Sequence, residues 1–287
     1  MARRFAIYVY WDADGVLKAF ARHFLSHLRQ SCQDVLVVIN GDLDDESCNF
    51  ISAVDCQYIR RANIGYDFGA YQFALQYMGW HRLQRYDEII LCNSSFYGPF
   101  YPLHVMFDAI DESVDFWGIT AWMGDPWPDH IQSYFYVFRR RISHSEEFRR
   151  YWDELQWPKD RAEAIAKCET QLTKVFALQG FRWTTFIPSY VSGDITIVHA
   201  RESLNRKMPV LKRKYFDEVS INKLEKIQVL ALLKDCYDIN LIFEDCFYKY
   251  SSITDRIKKE SLRQRVKKRL PSWVLTFYQL LKQVWRI

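Results

Sequence analysis

The chain has 287 residues, of which 49% are hydrophobic and 26% are charged, a composition that is ordinary for a globular protein. Lysine and arginine number 39 against 35 aspartate and glutamate residues, and the resulting net charge of +4 is too small to indicate a nucleic-acid-binding protein. The seven cysteines are odd in number, lie far apart and form no CxxC pair, which predicts reduced thiols in a cytoplasmic protein.

Strand-like and helix-like segments alternate over the first 120 residues. Continuous apolar runs predict strands at residues 5–11, 35–39, 56–59, 88–92 and 116–120. Apolar side chains at helical spacing predict helices directly after Asp14-Gly15 and at residues 69–79 and 103–110. Because the strands are apolar throughout rather than at alternate positions, we expect an α/β fold with a parallel sheet covered by helices on both faces.

The pattern changes after residue 125. We expect a strand at residues 133–138, helices at 146–155 and 168–179, a strand at 181–184 and a further helix at 221–235. No internal repeat or low-complexity stretch is present in the sequence. The second half is therefore expected to complete the first rather than to duplicate it.

The first predicted strand ends in Asp12-Ala-Asp14-Gly15-Val-Leu, which resembles the first motif of haloacid-dehalogenase phosphatases. In those enzymes the first aspartate is the nucleophile, the second is a general acid, and Mg²⁺ screens the phosphate. No second acidic pair follows at the usual distance to complete a metal site. We therefore rank a phosphatase third among the functions considered and favour a plain turn and cap at Asp14-Gly15.

A longer motif, RANIGYDFGAY, occupies residues 61–71 and joins a predicted strand to a predicted helix. Gly65 and Gly69 permit a tight turn and close approach of a ligand to the backbone. A helix N-terminus beside the fixed charge of Arg61 suits a diphosphate. The alternative is a helix entry in which Asp67 serves only as the cap.

This motif resembles the signature of the rhamnan synthesis protein F family, whose members are bacterial polysaccharide-building glycosyltransferases. The resemblance continues through YDEIILCNSSFYGP at residues 86–99, DFWGIT at 115–120 and HIQSYF at 130–135. Weaker matches occur at residues 168–173 and 209–213. Together the motifs cover residues 5–215 in the order of the family.

The resemblance implies a GT-A-like fold with a parallel-sheet nucleotide-binding core. The glycosyltransferase domain would span residues 1–215, with a donor half over 1–120 and an acceptor half over 121–215, followed by a helical extension over 216–254. It implies transfer of a sugar from a nucleotide-sugar donor to a growing surface polysaccharide such as the O-antigen of lipopolysaccharide. Rhamnose is suggested by the family name alone. The runner-up is a non-catalytic nucleotide-sugar or glycan-binding protein of the same fold.

The donor site implied by the resemblance lies at the strand ends. It comprises Asp12, Arg61, Asn63, Gly65, Tyr66, Asp67, Asn93, Ser94 and Ser95, with Lys212 and Arg213 as further phosphate-binding residues.

The family reads Asn-Asp-Ser where this chain has Asn93-Ser94-Ser95, and serine brings no negative charge to Mg²⁺ or Mn²⁺. Three explanations stay open. The divalent metal is held by Asp12 or Asp67 instead, or the donor is bound without metal through cationic side chains, or activity is lost.

The remaining site residues are predicted in the second half. Glu169 is expected to open a helix and to act as the base that takes the proton of the acceptor hydroxyl, the alternative being a favourable charge at a helix start. Acceptor-binding residues are expected to be Trp117, His130, Gln132 and Tyr134. Core packing is the alternative for the aromatic ones, in a chain that is 17% aromatic.

Residues 255–287 form a basic and partly apolar tail. Residues 255–269 hold eight lysine or arginine residues against two acids, and apolar side chains at helical spacing follow. This resembles an interfacial membrane helix, and the alternative is a helix docked on the domain. No signal peptide and no run of ~20 apolar residues is present, so we expect a cytoplasmic protein, peripheral on the inner face of the membrane, where a lipid-linked glycan acceptor would lie.

Overall fold

A computed structural model of the chain describes residues 2–189 and 191–246. Its strands are β1 (Arg4–Tyr10), β2 (Asp34–Asn40), β3 (Gln57–Arg61), β4 (Glu88–Asn93), β5 (Phe96–Tyr97), β6 (Phe116–Gly118), β7 (Ala121–Trp122), β8 (His130–Ile131), β9 (Phe135–Arg139), β10 (Trp183–Thr185) and β11 (Leu211–Lys212).

Helices connect and cover these strands. They are α1 (Ala19–Ser31), α2 (Asp45–Ala53), α3 (Tyr66–Met78), α4 (Trp80–Leu83), α5 (Leu103–Ala109), α6 (Arg140–Ser143), α7 (Glu146–Glu154), α8 (Arg161–Glu163), α9 (Thr170–Leu178), α10 (Ile195–Val198), α11 (Ala200–Asn205), α12 (Lys214–Asp217) and α13 (Lys223–Leu233). A π-helical segment, Ala164–Glu169, joins α8 to α9.

The centre of the fold is a seven-stranded sheet in the order β10-β6-β9-β4-β1-β2-β3. Strands β1 to β4 are mutually parallel, and β9 runs antiparallel between β4 and β6. The predicted α/β fold with a mostly parallel sheet is therefore confirmed, while the antiparallel insertion of β9 was not foreseen. The carboxyl ends of β1 to β4 meet at one edge.

Both faces of the sheet are buried. In β1, Tyr8 and Tyr10 face a cluster with α1, whereas Ile7 and Val9 face a second cluster with α3, α7 and α9. Successive side chains of a strand point to opposite faces, so a strand covered on both sides has to be apolar at every position. This is the reason for the continuous apolar runs in the sequence.

Several helix boundaries differ from the predicted ones. The helix expected directly after Asp14-Gly15 begins only at Ala19, and the helix expected from residue 69 already begins at Tyr66. Helix α2 was not predicted because its start, GDLDDES, suggests an acidic loop. Asp44 caps α2 by accepting a hydrogen bond of 2.8 Å from the backbone of Ser47.

The helix expected over residues 168–179 is longer than predicted, since helical structure begins at Arg161 and continues through the π-helical segment to Leu178. Glu169 is the last residue of that segment and does not open a helix, so its predicted placement was wrong.

The segment after residue 215 packs on the same core. Val229, Leu230 and Leu233 of α13 are buried together with Ile242. The domain boundaries expected at 120, 215 and 254 stay predictions, and the basic tail over 255–287 lies outside the described residues.

Two further features bear on the class of protein. Each of the seven cysteines is a free thiol. Within residues 2–189 and 191–246, the helices are too short or too polar for any to cross a membrane.

Candidate functional site

Polar side chains gather where β1 to β4 end. Asn40 ends β2, Arg61 ends β3, Asn93 ends β4, and Asp12 follows β1 by two residues. Open α/β sheets bind ligands outside the carboxyl ends of their strands. The sheet therefore brings most of the predicted donor-binding residues to one edge.

Arg61 is a half-buried cation whose hydrogen-bond partners are neutral. It donates to Asn40 Oδ1 at 2.8 Å and to the carbonyl of Ile64 at 2.7 Å. Its guanidinium carbon lies 4.9 Å from the centre of the Trp157 ring and 5.6 Å from that of Phe73. Burial lowers the pKa of Arg61, and no acidic group of the described chain offsets this effect. The positive charge is thus fixed in place and uncompensated.

A half-open cleft of about 520 Å³ lies beside Arg61. It is lined by Asn63, Ile64, Gly65, Tyr66, Trp157, Pro158 and Lys159. Tyr66 and Trp157 are 43% and 40% exposed, and since Arg61 lies over one face of the Trp157 ring, only the remaining exposed part of that ring can contact a ligand. Helix α3 starts in the cleft wall, and no side chain of the described residues caps its first turn.

Trp157 was missed as a site residue by the sequence reasoning. Its Nε1 donates to Gln72 Oε1, and Gln72 Nε2 donates to the carbonyls of Trp152 at 2.6 Å and Leu155 at 3.1 Å. A Cβ on Gly65 would lie 3.0 Å from the Trp157 ring. The only sequence signal was a Trp-Pro pair just past a helix, which has no fixed spacing from the 61–71 motif.

Asp67 and Asn93 form the polar contact between α3 and the end of β4. Asn93 Nδ2 donates to Asp67 Oδ2 at 2.7 Å, while Asn93 Oδ1 accepts from the backbone and hydroxyl of Ser95 at 3.0 and 2.6 Å. Burial raises the pKa of Asp67 to about 6; the hydrogen bond from Asn93 opposes the rise and the negative charge of Glu169 adds to it. Asp67 is not the N-cap of α3, because Gly65 holds that position and the Asp67 carboxylate accepts from Asn93 instead.

Glu169 approaches this group from the π-helical segment. Its Oε1 accepts a hydrogen bond of 2.8 Å from the backbone of Ser133. π-helical segments are frequent at functional sites because they displace one turn of the helix. The charge of Glu169 is close enough to raise the pKa of Asp67, so this edge of the sheet holds two interacting carboxylates.

Asp12 forms a turn. Its Oδ1 accepts from the backbone of Asp14 at 3.1 Å and of Val16 at 3.3 Å, and Lys18 Nζ lies 3.4 Å away. The expected turn is present, but Lys18, not Asp14, is the N-cap residue of α1.

The residues present do not fit the acidic metal site that nucleotide-sugar chemistry often uses. Across the two described ranges, no group of three or more histidine, cysteine, aspartate or glutamate side chains is arranged to hold a metal ion. Asp67 and Glu169 supply two carboxylates, and Asn93 Oδ1 is already engaged by Ser95. A phosphatase site built on Asp12 lacks its further acids for the same reason.

The two cations predicted to bind phosphate have carboxylate partners instead. Lys212 Nζ lies 2.8 Å from Asp194 Oδ2 and keeps the pKa of that carboxyl below its ordinary value although burial acts to raise it. Arg213 makes a two-pronged contact with Asp245, at 3.0 Å from Nε and 2.9 Å from Nη2. Their charges have carboxylate partners in the structure, and the predicted phosphate-binding role stays a prediction.

Trp117 does not reach the surface. It is fully buried in β6, with the rings of Phe107 and Phe135 at 5.7 and 6.3 Å. Its predicted stacking on an acceptor sugar is therefore wrong, and core packing is its role.

The other predicted acceptor residues are also interior. His130 Nδ1 lies 2.6 Å from the carbonyl of Pro128, and Thr120 Oγ1 lies 2.7 Å from Gln132 Oε1 and 2.5 Å from the hydroxyl of Tyr134. All three are at most 3% exposed. Their burial excludes them from contact with a ligand in this conformation, and their polar atoms bond within the protein.

A comparison with protein families matches residues 35–274 to the model described as rhamnan synthesis protein F. Among curated proteins, the chain is 29% identical over 210 residues to the uncharacterised protein y4gN of Sinorhizobium fredii (strain NBRC 101917 / NGR234), covering 72% of this chain and 53% of the relative. It is 29% identical over 134 residues to the virulence protein VirA of Vibrio anguillarum (strain ATCC 68554 / 775), covering 46% and 42%. The chain thus spans about half the length of the curated relatives it matches.

Among solved structures, glucosyl-3-phosphoglycerate synthase of Mycobacterium tuberculosis is 11% identical with a TM-score of 0.35, covering 49% of this chain and 58% of that one. A proposed nucleotide-diphospho-sugar transferase of Desulfovibrio desulfuricans G20 is 13% identical with a TM-score of 0.41, covering 83% of this chain and 100% of that one.

Proposed function

The chain belongs to the rhamnan synthesis protein F family, and from this premise we propose that it is a GT-A-like glycosyltransferase that uses a nucleotide-sugar donor. One observation carries the proposal beyond the family. The motif at residues 61–71 builds a cleft at the carboxyl edge of the sheet and holds beside it an arginine with no carboxylate partner among the described residues.

The donor diphosphate would lie against Arg61, the first turn of α3 and Lys159. A fixed guanidinium and the amides of a helix N-terminus both favour phosphate oxygens. The exposed rings of Tyr66 and Trp157 would contact the flat nucleobase. The same charges would stabilise the diphosphate as it leaves.

The acceptor hydroxyl would meet Asp67 and Glu169. Glu169 takes the hydroxyl proton, the acceptor oxygen bonds to the anomeric carbon, and the bond from that carbon to the diphosphate breaks. The carboxyl of Asp67, whose pKa burial raises to about 6, interacts with the negative charge of Glu169. No step in this scheme uses a metal ion.

The acceptor would be a growing bacterial surface polysaccharide, such as a rhamnan or an O-antigen on a lipid carrier. The family description supports a polysaccharide product, and its name alone suggests rhamnose as the donor sugar. Attachment to the membrane surface through the basic tail of residues 255–287 would suit a lipid-linked acceptor.

Calorimetric titration with uridine diphosphate and thymidine diphosphate tests the donor site. We expect the wild type to bind at least one of them and Arg61→Gln to bind it about tenfold more weakly, because the variant loses the unpaired charge. Arg141→Gln is the control: Arg141 also lies over an aromatic ring, at 5.0 Å from Phe181, but its charge is paired with Asp115 and it lies at the opposite end of the sheet from the cleft. Failure of the wild type to bind either nucleotide would contradict the proposal.

A non-catalytic nucleotide-sugar or glycan-binding protein of the same fold is the second candidate. One observation favours it, namely that the strand-end serines and the two carboxylates do not fit the expected metal site. Slow hydrolysis of bound nucleotide sugar, followed by ³¹P NMR, separates the two candidates. Turnover that is lost in Glu169→Gln supports the enzyme, and tight binding without turnover supports the binding protein.

A further inference from the structure

The turn after β4 is held from the C-terminal segment of the described chain. Arg213 Nη1 donates to the carbonyl of Ser94 at 3.2 Å, and the backbone amide of Arg213 donates to the carbonyl of Ser95 at 2.9 Å. The same arginine contacts Asp245 with both Nε and Nη2. Residues 94 and 95 are thereby connected to a residue about 150 positions later in the sequence.

Asp245 is itself fixed. It is 5% exposed, and its Oδ2 also accepts a hydrogen bond of 2.6 Å from the buried hydroxyl of Tyr97. The Arg213 guanidinium lies 4.4 Å from the centre of the Phe20 ring. A buried ion pair whose charged groups all have partners has one well-defined geometry, so it can fix the position of a neighbouring turn.

The turn at residues 94–95 also holds the side chain of Asn93 in place. Ser95 donates twice to Asn93 Oδ1, which leaves the amino group of that amide to face Asp67. If Ser95 moved, Asn93 Oδ1 would lose both of its donors and the side chain would be held only by its amino group against Asp67, so its position would no longer be fixed at both ends. The contacts therefore form a continuous series from Asp245 through Arg213, the 94–95 turn and Asn93 to Asp67.

We propose that Asp245 is a positioning residue for the donor edge, acting through Arg213 and the 94–95 turn on the orientation of Asn93. This inference rests on the proposed function in that the edge is taken to bind a nucleoside diphosphate. It assigns a role in the site to the segment beyond residue 215, where sequence motifs place only a helical extension.

Asp245→Asn tests the proposal, with Glu88→Gln as a matched control. Glu88 is also 5% exposed and pairs with Arg4 and Arg139, but it stands at the opposite end of β4. We expect both variants to unfold at a lower temperature. Only Asp245→Asn should weaken binding of the nucleoside diphosphate that the wild type prefers, by about 3- to 10-fold.

A double-mutant cycle separates positioning from general loosening. In an Asn93→Ala background, Asp245→Asn should have no further effect on affinity, because the residue through which it acts is gone. Equal effects of Asp245→Asn in both backgrounds would overturn the proposal. Should Asp245→Asn not fold, Tyr97→Phe removes a single hydrogen bond to Asp245 and should shift affinity less in the same direction.

The side-chain amide signal of Asn93 in ¹⁵N NMR spectra provides a readout that needs no nucleotide. We expect it to shift in Asp245→Asn and to stay unchanged in Glu88→Gln. An unchanged Asn93 signal in Asp245→Asn would contradict the inference, whatever the nucleotide affinities of the variants. Absence of nucleotide binding by the wild type, together with the expected NMR shifts, would instead count against the proposed function alone.

Discussion

At the scale of single residues, the buried carboxylate of Asp67 lowers the stability of the folded protein at neutral pH, although it belongs to the proposed site. Its pKa lies at about 6 against an ordinary value of 3.8, so the folded protein holds this proton more tightly than the unfolded chain. The free energy of unfolding therefore falls as pH rises from about 4 to 6. Asp67→Asn removes the charge, and we expect it to stabilise the protein at pH 7 by about 1 to 2 kcal/mol after allowing for partial solvent screening.

Urea unfolding from pH 4 to pH 8 measures this effect. The difference between Asp67→Asn and wild type should be small at pH 4, grow up to pH 6 and then stay constant. Asp42→Asn, at an exposed position, should show no such trend. A variant less stable than wild type at pH 7 would mean that the carboxylate is favourably paired in the folded state.

Ser94 sets the expected response to divalent metal. We predict that Ser94→Asp binds nucleotide sugar more weakly in EDTA and recovers in Mn²⁺, while the wild type changes little between the two. Two unit charges ~4 Å apart interact by about 4 kcal/mol at an effective dielectric near 20, an upper bound, and a quarter of that is close to a tenfold change in affinity.

Asn63→Ala is the comparison for this experiment, because Asn63 lines the cleft and is assigned to the nucleotide. It should weaken binding equally with and without Mn²⁺ in calorimetric titrations. Complete loss of wild-type binding in EDTA would show that other acids hold a metal and that the strand-end serines are bystanders.

The residues at strand ends were predictable from sequence, and those that depend on packing were not. Arg61 and Asn93 end strands of a parallel sheet, so the sheet brings them to one edge, whereas Asp67 lies in the first turn of α3 and was assigned from the family motif. Trp117 lies in such a run as well, and its burial excludes it from any ligand. Trp157 reaches the cleft only through the packing of the segment after α7, which no local spacing encodes.

At the scale of elements, the entry into α3 decides the shape of the cleft. Gly65 has φ of +73° and a Cβ there would lie 3.0 Å from Trp157, whereas Gly79, at the other end of α3, has φ of +76° with open space around it. Alanine at Gly65, which is in the left-handed helical conformation, costs about 1 to 2 kcal/mol of backbone strain. Alanine at Gly79, whose ψ is 136°, is strained at least as much. We expect only Gly65→Ala to weaken nucleotide binding as well, because it displaces Trp157.

Thermal unfolding and nucleotide titration of both glycine variants check this expectation. Loss of stability in both variants, with affinity lost only in Gly65→Ala, would support the cleft as the binding site. Equal affinities of Gly65→Ala and wild type would place the nucleotide elsewhere along the sheet edge.

Elements defined by periodicity were predicted well, and those defined by caps or long-range pairing were not. Strands β1, β2 and β4 are continuous apolar runs, and each of their observed ends lies within one residue of the predicted end. Helix α2 depends on the capping carboxylate of Asp44 and was missed. The antiparallel direction of β9 depends on its partners β4 and β6, which its own sequence does not specify.

At the scale of the whole molecule, the family match extends further than the motifs do. Recognisable motifs end at residue 215, whereas the match runs to residue 274. The segment between contributes buried side chains such as Leu230 and Ile242, and the ion pair of Asp245 with Arg213. Packing residues of this kind carry no signature, so sequence motifs alone underestimate how much of the chain forms one folding unit.

The last prediction concerns the basic tail of residues 255–287. We expect a chain ending at residue 254 to keep its fold and to lose binding to vesicles that contain anionic lipid, because the basic run and the apolar positions at helical spacing both lie after that point. Each lysine or arginine near an anionic surface contributes about 1 kcal/mol, and an apolar stripe adds to it. Co-sedimentation with anionic and neutral vesicles at low and high salt measures the effect.

A full-length variant in which the eight lysine and arginine residues of 255–269 are changed to glutamine separates charge from apolar contact. Loss of binding in this variant, and in wild type at ~1 M salt where the Debye length falls to about 3 Å, would identify electrostatic attraction as the main force. If the truncated chain unfolds, or if wild type ignores anionic vesicles at low salt, the tail is a structural part of the domain and the membrane-surface proposal fails.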